Sequence, residues 1–186
     1  MVGGPLKKAV FLDRDGVLNG VLLKNGKPHP PKSVEDLAIL PGVEEAIEIL
    51  RKLQFELIVV TNQPDVARGF VPSQEVHLIH EYLGKILKIE HFYSCLHDDS
   101  DTCYCRKPLP GMIFEAAEFL GIDLTSSFMV GDRWRDIEAG LSAGCTCYFI
   151  DYSYTERRPK GLYISVGSLI EAARHIERYG NDSHTE

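Results

Sequence analysis

The sequence lacks any apolar run long enough to cross a bilayer, because its longest apolar stretches, such as Leu57–Val60, have only the length of a strand. The first residues, Met1 to Pro5, contain no apolar segment of the kind found in export signals. Internal repeats and low-complexity tracts are also missing from the sequence. We therefore expect one cytoplasmic domain spanning residues 1–186, with flexible ends at 1–6 and 180–186.

The sequence also lacks a cluster of basic residues, and its net charge is −7. Surfaces that bind nucleic acid need concentrated positive charge, so this composition argues against a nucleic-acid partner. Hydrophobic residues make up 44% of the chain and charged residues 25%, which is typical of a globular protein without a membrane partner. An anionic ligand would have to be held by positive charge gathered at one place, from a metal ion, a lysine or helix N-termini.

Cysteines are few, and their number, five, is odd. In a chain without a visible export signal, disulfides are therefore a poor explanation for them. Cys145 and Cys147 alternate with Thr146 inside an apolar run, which is typical of small buried strand residues.

The other three cysteines lie close to a histidine, in the pattern Cys95-x-His97-x₅-Cys103-x-Cys105. Three thiolates and one imidazole are enough for a closed tetrahedral zinc site, which leaves no open position for water and is therefore structural. Such an ion would pin a loop that has no core of its own and that leads directly to Lys107. The alternative is a set of free thiols near an unrelated histidine.

Short apolar runs alternate along the chain with segments of helical periodicity. The predicted strands are Lys8–Leu12, Phe55–Val60, His91–Leu96, Phe128–Val130, Cys145–Ile150 and Leu162–Val166. The predicted helices begin after Pro41-Gly42, at Ser73 as a cap, and after Pro110-Gly111, and two more span Ile137–Ala143 and Ser168–Tyr179. This alternation predicts an α/β fold with a mostly parallel, three-layer sheet. The segment Leu22–Ser33, rich in Pro, Gly and Lys, is either a plain connection or a loop that faces the substrate.

Three predicted strands end in polar residues that suit one chemistry. These ends are Asp13-x-Asp15-Gly16, Thr61-Asn62 and Gly131-Asp132, and Lys107 stands ahead of a helix between the last two. In a parallel sheet, ligands bind at the carboxyl edge, where such ends meet. Each motif alone is common in turns and caps, but the ordered set predicts a phosphate site.

Hydrolysis of a phosphate monoester needs a nucleophile and neutralisation of the phosphate oxygens. Asp13 is the candidate nucleophile, and Asp15 the candidate acid and base. Two carboxylates would repel a phosphate, so we expect Mg²⁺ bound by Asp13, Asp132 and the main-chain carbonyl of Asp15. Thr61 and Lys107 are the candidate phosphate ligands.

Four segments of the chain together resemble the motifs of the haloacid dehalogenase superfamily. They are Phe11-Leu12-Asp13-Arg14-Asp15-Gly16-Val17-Leu18-Asn19, Val60-Thr61-Asn62-Gln63, Cys105-Arg106-Lys107-Pro108 and Val130-Gly131-Asp132-Arg133. The chain is most similar to the histidinol-phosphatase-like subgroup, which includes heptose bisphosphate phosphatases. The resemblance implies a Rossmann-like domain without a large cap, magnesium, a zinc loop and the roles just given. It leaves Asp136 either as an acid that orients Lys107 or the metal site, or as a helix-surface residue.

Candidate substrate contacts are Asn62, Arg68, Arg106 and Arg133, and arginines around a cleft suit a sugar bisphosphate. The segment around Arg68 resembles that of the heptose bisphosphate phosphatases, whereas Pro64-Asp65 departs from their usual Ser-Gly. Within the same class the alternative substrate is histidinol phosphate. From other classes, the alternatives are a receiver-like module phosphorylated on aspartate and a metal-binding interaction domain. We expect a monomer that acts on a small phosphorylated metabolite.

Overall fold

The computed structural model describes residues 6–182, and the predicted flexible ends fall mostly outside this range. The strands are β1 (Ala9–Leu12), β2 (Leu22–Lys24), β3 (Lys27–His29), β4 (Glu56–Asn62), β5 (His91–Cys95), β6 (Phe128–Gly131), β7 (Thr146–Ile150) and β8 (Ile164–Val166). The helices are α1 (Val43–Lys52), α2 (Ser73–Leu87), α3 (Gly111–Leu120), α4 (Trp134–Ala143) and α5 (Leu169–Asp182). Every predicted strand and helix is present, with its ends shifted by a few residues.

Six of the strands form one parallel sheet in the order β5-β4-β1-β6-β7-β8. β1 lies between β4 and β6, so the three strands whose ends carry the predicted phosphate motifs are neighbours. All three end at the same edge of the sheet because they run in the same direction. The expected α/β fold is confirmed.

The side chains of β1 alternate between two hydrophobic cores, as a strand buried on both faces requires. Val10 and Leu12 face a core that includes residues of α1, α2 and α5. Ala9 and Phe11 face a core built with residues of α3 and α4. The sheet is therefore the middle layer of three.

One of the two interpretations of Leu22–Ser33 is excluded, and the prediction of the α2 cap needs correction. The segment Leu22–Ser33 is not a plain connection, because β2 and β3 pair there as an antiparallel hairpin. Its turn residues Asn25 and Gly26 both have positive φ, which asparagine and glycine tolerate best. Ser73 is the first residue of α2 and makes no capping hydrogen bond there, since the cap position belongs to Pro72. Within residues 6–182, no helix is both long and apolar enough to span a membrane.

Candidate active site

A cavity of about 390 Å³ opens at the carboxyl edge of the central strands. It is lined by eight of the predicted site residues: Asp13, Asp15, Thr61, Asn62, Arg68, Arg106, Lys107 and Arg133. Residues of the β2–β3 hairpin, among them Pro28 and His29, also line it. The hairpin therefore faces the cavity, as one interpretation of this segment anticipated.

Asp13 is held rigidly at the end of β1. Its backbone N–H donates to the carbonyl of Val130 at 3.0 Å, which ties the β1 end to β6. Its carboxylate Oδ1 accepts from Lys107 Nζ at 2.8 Å. Only 7% of the residue is exposed.

Lys107 is buried and makes three polar contacts. Besides Asp13, its Nζ donates to the carbonyl of Val60 at 2.7 Å and lies 2.7 Å from Asp136 Oδ1. Burial disfavours the charged form of Lys107, but the charges of Asp13 and Asp136 outweigh it and raise the pKa of the lysine. The ammonium group is therefore fixed and charged beside Asp13.

Asp136 joins this group as a positioning residue, one of the two roles that the sequence left open. Its Oδ1 contacts Lys107, and its Oδ2 accepts from the N–H of Arg133 at 2.9 Å, capping α4. The residue is 2% exposed. These contacts favour an orienting role over that of a helix-surface residue.

Asp132 is not among the lining residues of the cavity, although its carboxylate lies directly beside the site. One ligand oxygen from each of Asp13, Asp132 and Asp136 lies within 4.8 Å of the other two. Both oxygens of Asp132 are buried, and among the described residues neither makes a hydrogen bond of ordinary geometry, although the Tyr154 hydroxyl and the charge of Arg133 interact with the carboxylate. Buried polar atoms that are poorly paired are uncommon, and a carboxylate in this position suits a ligand of a cation.

The packing around Asp132 leaves no room for a larger residue at Gly16. Gly16 has φ +90, and a Cβ there would lie 2.0 Å from Asp132 Oδ2. Both the backbone conformation and this close approach therefore require glycine after Asp15.

The carboxylates of Asp13, Asp132 and Asp136 lie close enough to shift the pKa values of Asp13 and Asp132. Burial, followed by the charge of Asp136, raises the pKa of Asp13 to about 7 in spite of Lys107. Burial and the charges of Asp13 and Asp136 raise the pKa of Asp132 well above its usual value. A divalent cation bound by oxygen ligands would remove this repulsion, so the donor set fits Mg²⁺.

Asp15 is held by a network of donors between β1 and β4. Arg14 donates to both of its oxygens, Nε to Oδ1 at 3.1 Å and Nη2 to Oδ2 at 3.0 Å. Asn19 donates to Oδ1 at 2.9 Å, and Gln63 to Oδ2 at 2.7 Å. Gln63 also donates to the hydroxyl of Thr61 at 3.0 Å, which links the two motifs. The roles of Arg14 and Gln63 were not predicted, although both residues lie inside the quoted motifs.

Asn62 supports the loop that carries Lys107. Its side-chain amide donates to the carbonyl of Lys107 at 3.0 Å and accepts from the N–H of the same residue at 3.1 Å. This pair of bonds fixes the lysine backbone to the end of β4. Whether Asn62 also meets substrate, as we predicted, stays a prediction.

The predicted zinc ligands converge next to this loop. His97 Nδ1 lies 3.5 Å from Cys95 Sγ and 3.4 Å from Cys105 Sγ, and the Cys95 and Cys103 sulfurs are 3.9 Å apart. Two sulfurs bound tetrahedrally at about 2.3 Å from one zinc ion would be roughly 3.8 Å apart. Burial and the neighbouring thiols raise the pKa of Cys105 to about 12, a crowding that a bound cation relieves. The cluster is therefore compatible with zinc.

The remaining cysteines and the predicted arginines also have definite places. Cys145 and Cys147 are buried, as expected, and all five cysteines are free. Arg106 and Arg133 line the cavity, paired with Asp99 and Glu156 respectively. Arg68 is paired with Asp98 at 2.5 Å and with Asp65 at 3.5 Å. Asp65 belongs to the Pro64-Asp65 pair that replaces the usual Ser-Gly. Arg135, which the sequence did not single out, lines the cavity as well.

The geometry thus defines a phosphate-handling hydrolase site, and comparisons with known proteins give the family. The model of the haloacid dehalogenase-like hydrolases matches residues 31–144, and the chain belongs to this family. It is therefore a hydrolase, and the relatives it matches are named as phosphatases.

Two curated relatives and one crystal structure show how far the similarity extends. The D-glycero-beta-D-manno-heptose-1,7-bisphosphate 7-phosphatase of Yersinia pestis is 35% identical over 147 residues, 73% of this chain and 75% of that protein. The D-glycero-alpha-D-manno-heptose-1,7-bisphosphate 7-phosphatase of Photorhabdus laumondii is 32% identical over 183 residues, 91% and 97% of the two chains. The D,D-heptose 1,7-bisphosphate phosphatase from B. bronchiseptica, complexed with magnesium and phosphate, has 29% identity and a TM-score of 0.80 over 92% of this chain and 99% of that one.

Proposed function

We propose that the chain is a Mg²⁺-dependent phosphatase that removes the 7-phosphate of a D-glycero-D-manno-heptose 1,7-bisphosphate through a phosphoaspartate at Asp13. The observation that carries the chemistry is that Asp13 and Asp132, at the ends of the neighbouring strands β1 and β6, converge, and that Lys107 from the loop before α3 contacts Asp13. The similarity to heptose bisphosphate phosphatases over most of the chain supports the substrate.

The proposed reaction has two steps. A carboxylate oxygen of Asp13 attacks phosphorus, the ester bond to the sugar oxygen breaks, and Asp15 gives that oxygen a proton. Water then attacks the acyl phosphate while Asp15 takes a proton from it, which releases phosphate and restores Asp13. Thr61 and Lys107 hold the phosphate oxygens through both steps.

The chain's own residues set up this chemistry before substrate arrives. Lys107 and the backbone bond to Val130 fix Asp13, so little reorganisation is needed for attack. Asp13, Asp132 and the carbonyl of Asp15 would hold Mg²⁺, which supplies positive charge to the phosphate oxygens when bound. Asp136 also holds Lys107, with its Oδ1 2.7 Å from Nζ.

The Cys95, His97, Cys103 and Cys105 cluster would hold a structural zinc ion. Its four side chains form a closed donor set, and the segment after Cys105 leads at once to Arg106 and Lys107. The proposed role of zinc is to hold this segment beside the cavity.

The test is turnover of phosphate esters by wild type and by Asp13→Asn in Mg²⁺. We expect the wild type to release phosphate from heptose 1,7-bisphosphate far faster than from histidinol phosphate. We expect the substitution to reduce kcat by at least about 10³-fold, because an amide cannot form the acyl phosphate.

Three results would count against the proposal. Turnover retained by Asp13→Asn would remove Asp13 from the nucleophile role, and preference for histidinol phosphate would change the substrate. A stable phosphoaspartate without turnover would indicate the receiver-like alternative. Because the relatives include enzymes named for both anomers, the alpha and beta bisphosphates should be compared side by side.

A further inference from the structure

Three arginines around the cavity share one carboxylate, that of Asp99. Its Oδ1 lies 3.0 Å from Arg106 Nε, 2.9 Å from Arg106 Nη2 and 3.0 Å from Arg135 Nη1. Its Oδ2 lies 3.6 Å from Arg68 Nη2, an atom that Asp98 binds more closely, at 2.5 Å, so Asp99 holds Arg106 and Arg135 more strongly than Arg68. All four side chains line the same cavity as Asp13.

The arginines of this cluster come from three separate parts of the fold. Arg68 follows β4, Arg106 precedes Lys107, and Arg135 is in the first turn of α4. An aspartate whose side chain is 53% exposed is well solvated and does not need three cations for its own stability. The convergence is therefore better explained as an anion subsite of the cavity, with Asp99 as its occupant.

A phosphate group would fit this subsite better than a carboxylate. It offers three oxygens and up to two charges, and guanidinium groups bind such an anion in bidentate fashion. The position of Asp99 in the chain also allows its carboxylate to leave the arginines and to bind them again. It lies between His97 and Cys103 in the loop of the proposed zinc cluster, so a short tether keeps its local concentration high.

We infer that Asp99 is an internal competitor for the subsite formed by Arg68, Arg106 and Arg135, and that it limits the preference of the site for substrates with a second phosphate. A bisphosphate displaces Asp99 and gains the arginine contacts. A monophosphate leaves Asp99 in place and gains nothing there. This inference deepens the proposed function and rests on it for the identity of the sugar.

The test compares kcat/KM for heptose 1,7-bisphosphate with that for heptose 7-phosphate in wild type and Asp99→Asn. Removing the competitor raises the fraction of protein with a vacant subsite. We expect the bisphosphate-to-monophosphate ratio to rise about five- to tenfold, through KM, with kcat changed less than about twofold. Asp99→Glu keeps the competing charge and should stay within about twofold of wild type.

Asp101→Asn is the matched control in the same loop. Within residues 6–182, Asp101 forms no ion pair with the three arginines. Its Oδ2 accepts from the backbone N–H of Asp98 at 2.7 Å, and the side-chain oxygen of an asparagine can accept the same bond, so Asp98 stays in place. Asp101→Asn should leave the ratio unchanged, and metal analysis should find the same zinc content in all variants. A ratio that stays the same or falls in Asp99→Asn would overturn the inference, because Asp99 would then be a support for the arginines.

A second measurement separates this inference from the proposed function. Calorimetry on Asp13→Asn, with and without Asp99→Asn, would compare binding of fructose 1,6-bisphosphate and fructose 6-phosphate. Failure of the wild type to hydrolyse the heptose ester would reject the proposed substrate only. Tighter binding of the bisphosphate on removal of Asp99 would still support the competitor role, and an unchanged preference would reject it.

Discussion

Three carboxylates, those of Asp13, Asp132 and Asp136, are buried around the single ammonium group of Lys107. The charges do not balance, and the imbalance falls on Asp132: within residues 6–182 its oxygens make no hydrogen bond of ordinary geometry, and the nearby Tyr154 hydroxyl and Arg133 do not offset the effect of burial. Burying charge without compensation is costly, so such a site persists when a ligand completes it. At the scale of single residues, the acidic cluster is therefore the strongest structural argument for a cation.

Arg14, which pairs with Asp15, also makes a partly buried contact with His80. Arg14 has no exposed side-chain surface, and its Nη1 lies 3.2 Å from His80 Nε2. The His80 ring also stacks on Phe92, with centroids 4.9 Å apart. Burial, and then the charge of Arg14, lower the pKa of His80 to about 3.

The low pKa of His80 predicts a loss of stability in acid. Between pH 6.5 and about 3, the unfolded chain protonates His80 and the folded chain does not, so the stability from this group is complete above pH 6.5 and falls as pH falls. We expect wild type to lose about 2 kcal/mol more unfolding free energy than His80→Gln between pH 7 and pH 5.

Denaturant unfolding at the two pH values measures this difference directly. His77→Gln is the matched control, because His77 lies on the same helix with its side chain 72% exposed. It should follow wild type at both pH values. Parallel losses in wild type and His80→Gln would show that His80 titrates normally in the folded protein.

At the scale of elements, the sequence predicted what depends on local pattern. Apolar runs located each strand of the sheet, and the polar residues after them located the active-site edge. The motif order also predicted that β4, β1 and β6 contribute to one site, because parallel strands share their carboxyl edge. The Asn25-Gly26 turn of the β2–β3 hairpin was visible in the sequence, but the weak apolar pattern around it concealed the strands.

Ion pairs between residues that are distant in the sequence could not be predicted. Asp99 meets Arg135 across 36 positions, and Arg133 meets Glu156 across 23, and nothing in the spacing of such residues marks them as partners. The early start of α4 at Trp134 has a similar cause. It depends on Asp136 accepting from the backbone N–H of Arg133. The same carboxylate contacts Lys107, so the helix cap and the active site use one side chain.

The loop with the cysteine cluster yields a prediction about an element as a whole. Replacing a ligand, as in Cys105→Ser, should reduce zinc from one ion per chain to well below one, because three remaining ligands bind weakly. We expect kcat/KM to fall about tenfold or more, as is common when the support of a site residue is lost. Metal analysis and turnover on the same samples measure both effects.

Cys145→Ala is the control for this experiment, because Cys145 is a buried cysteine outside the cluster. It should keep a full zinc content even if its stability falls. A wild type purified without added metal that holds almost no zinc, and whose thiols all titrate freely, would contradict a zinc site.

At the scale of the whole molecule, both cores pack on the strands that carry the site. β1 contributes to each core with alternate side chains, so Asp13 is attached to the most buried strand of the sheet. Repulsion among the three carboxylates therefore lowers the free energy of unfolding of the whole protein, and a ligand that relieves this repulsion should raise it. Binding at the site and unfolding are therefore linked.

This linkage predicts that Mg²⁺ raises the melting temperature. A ligand present at 10 to 100 times its dissociation constant stabilises a protein by about 1.4 to 2.7 kcal/mol, which corresponds to roughly 3 to 10 °C for a chain of this size. Magnesium should be removed by dialysis, because a strong chelator would also extract zinc. Asp132→Asn should melt higher than wild type without Mg²⁺, since one buried charge is gone, and should gain little when Mg²⁺ is added. An equal rise in both proteins would place the stabilising ion elsewhere, and the poorly paired oxygens of Asp132 would then need another explanation.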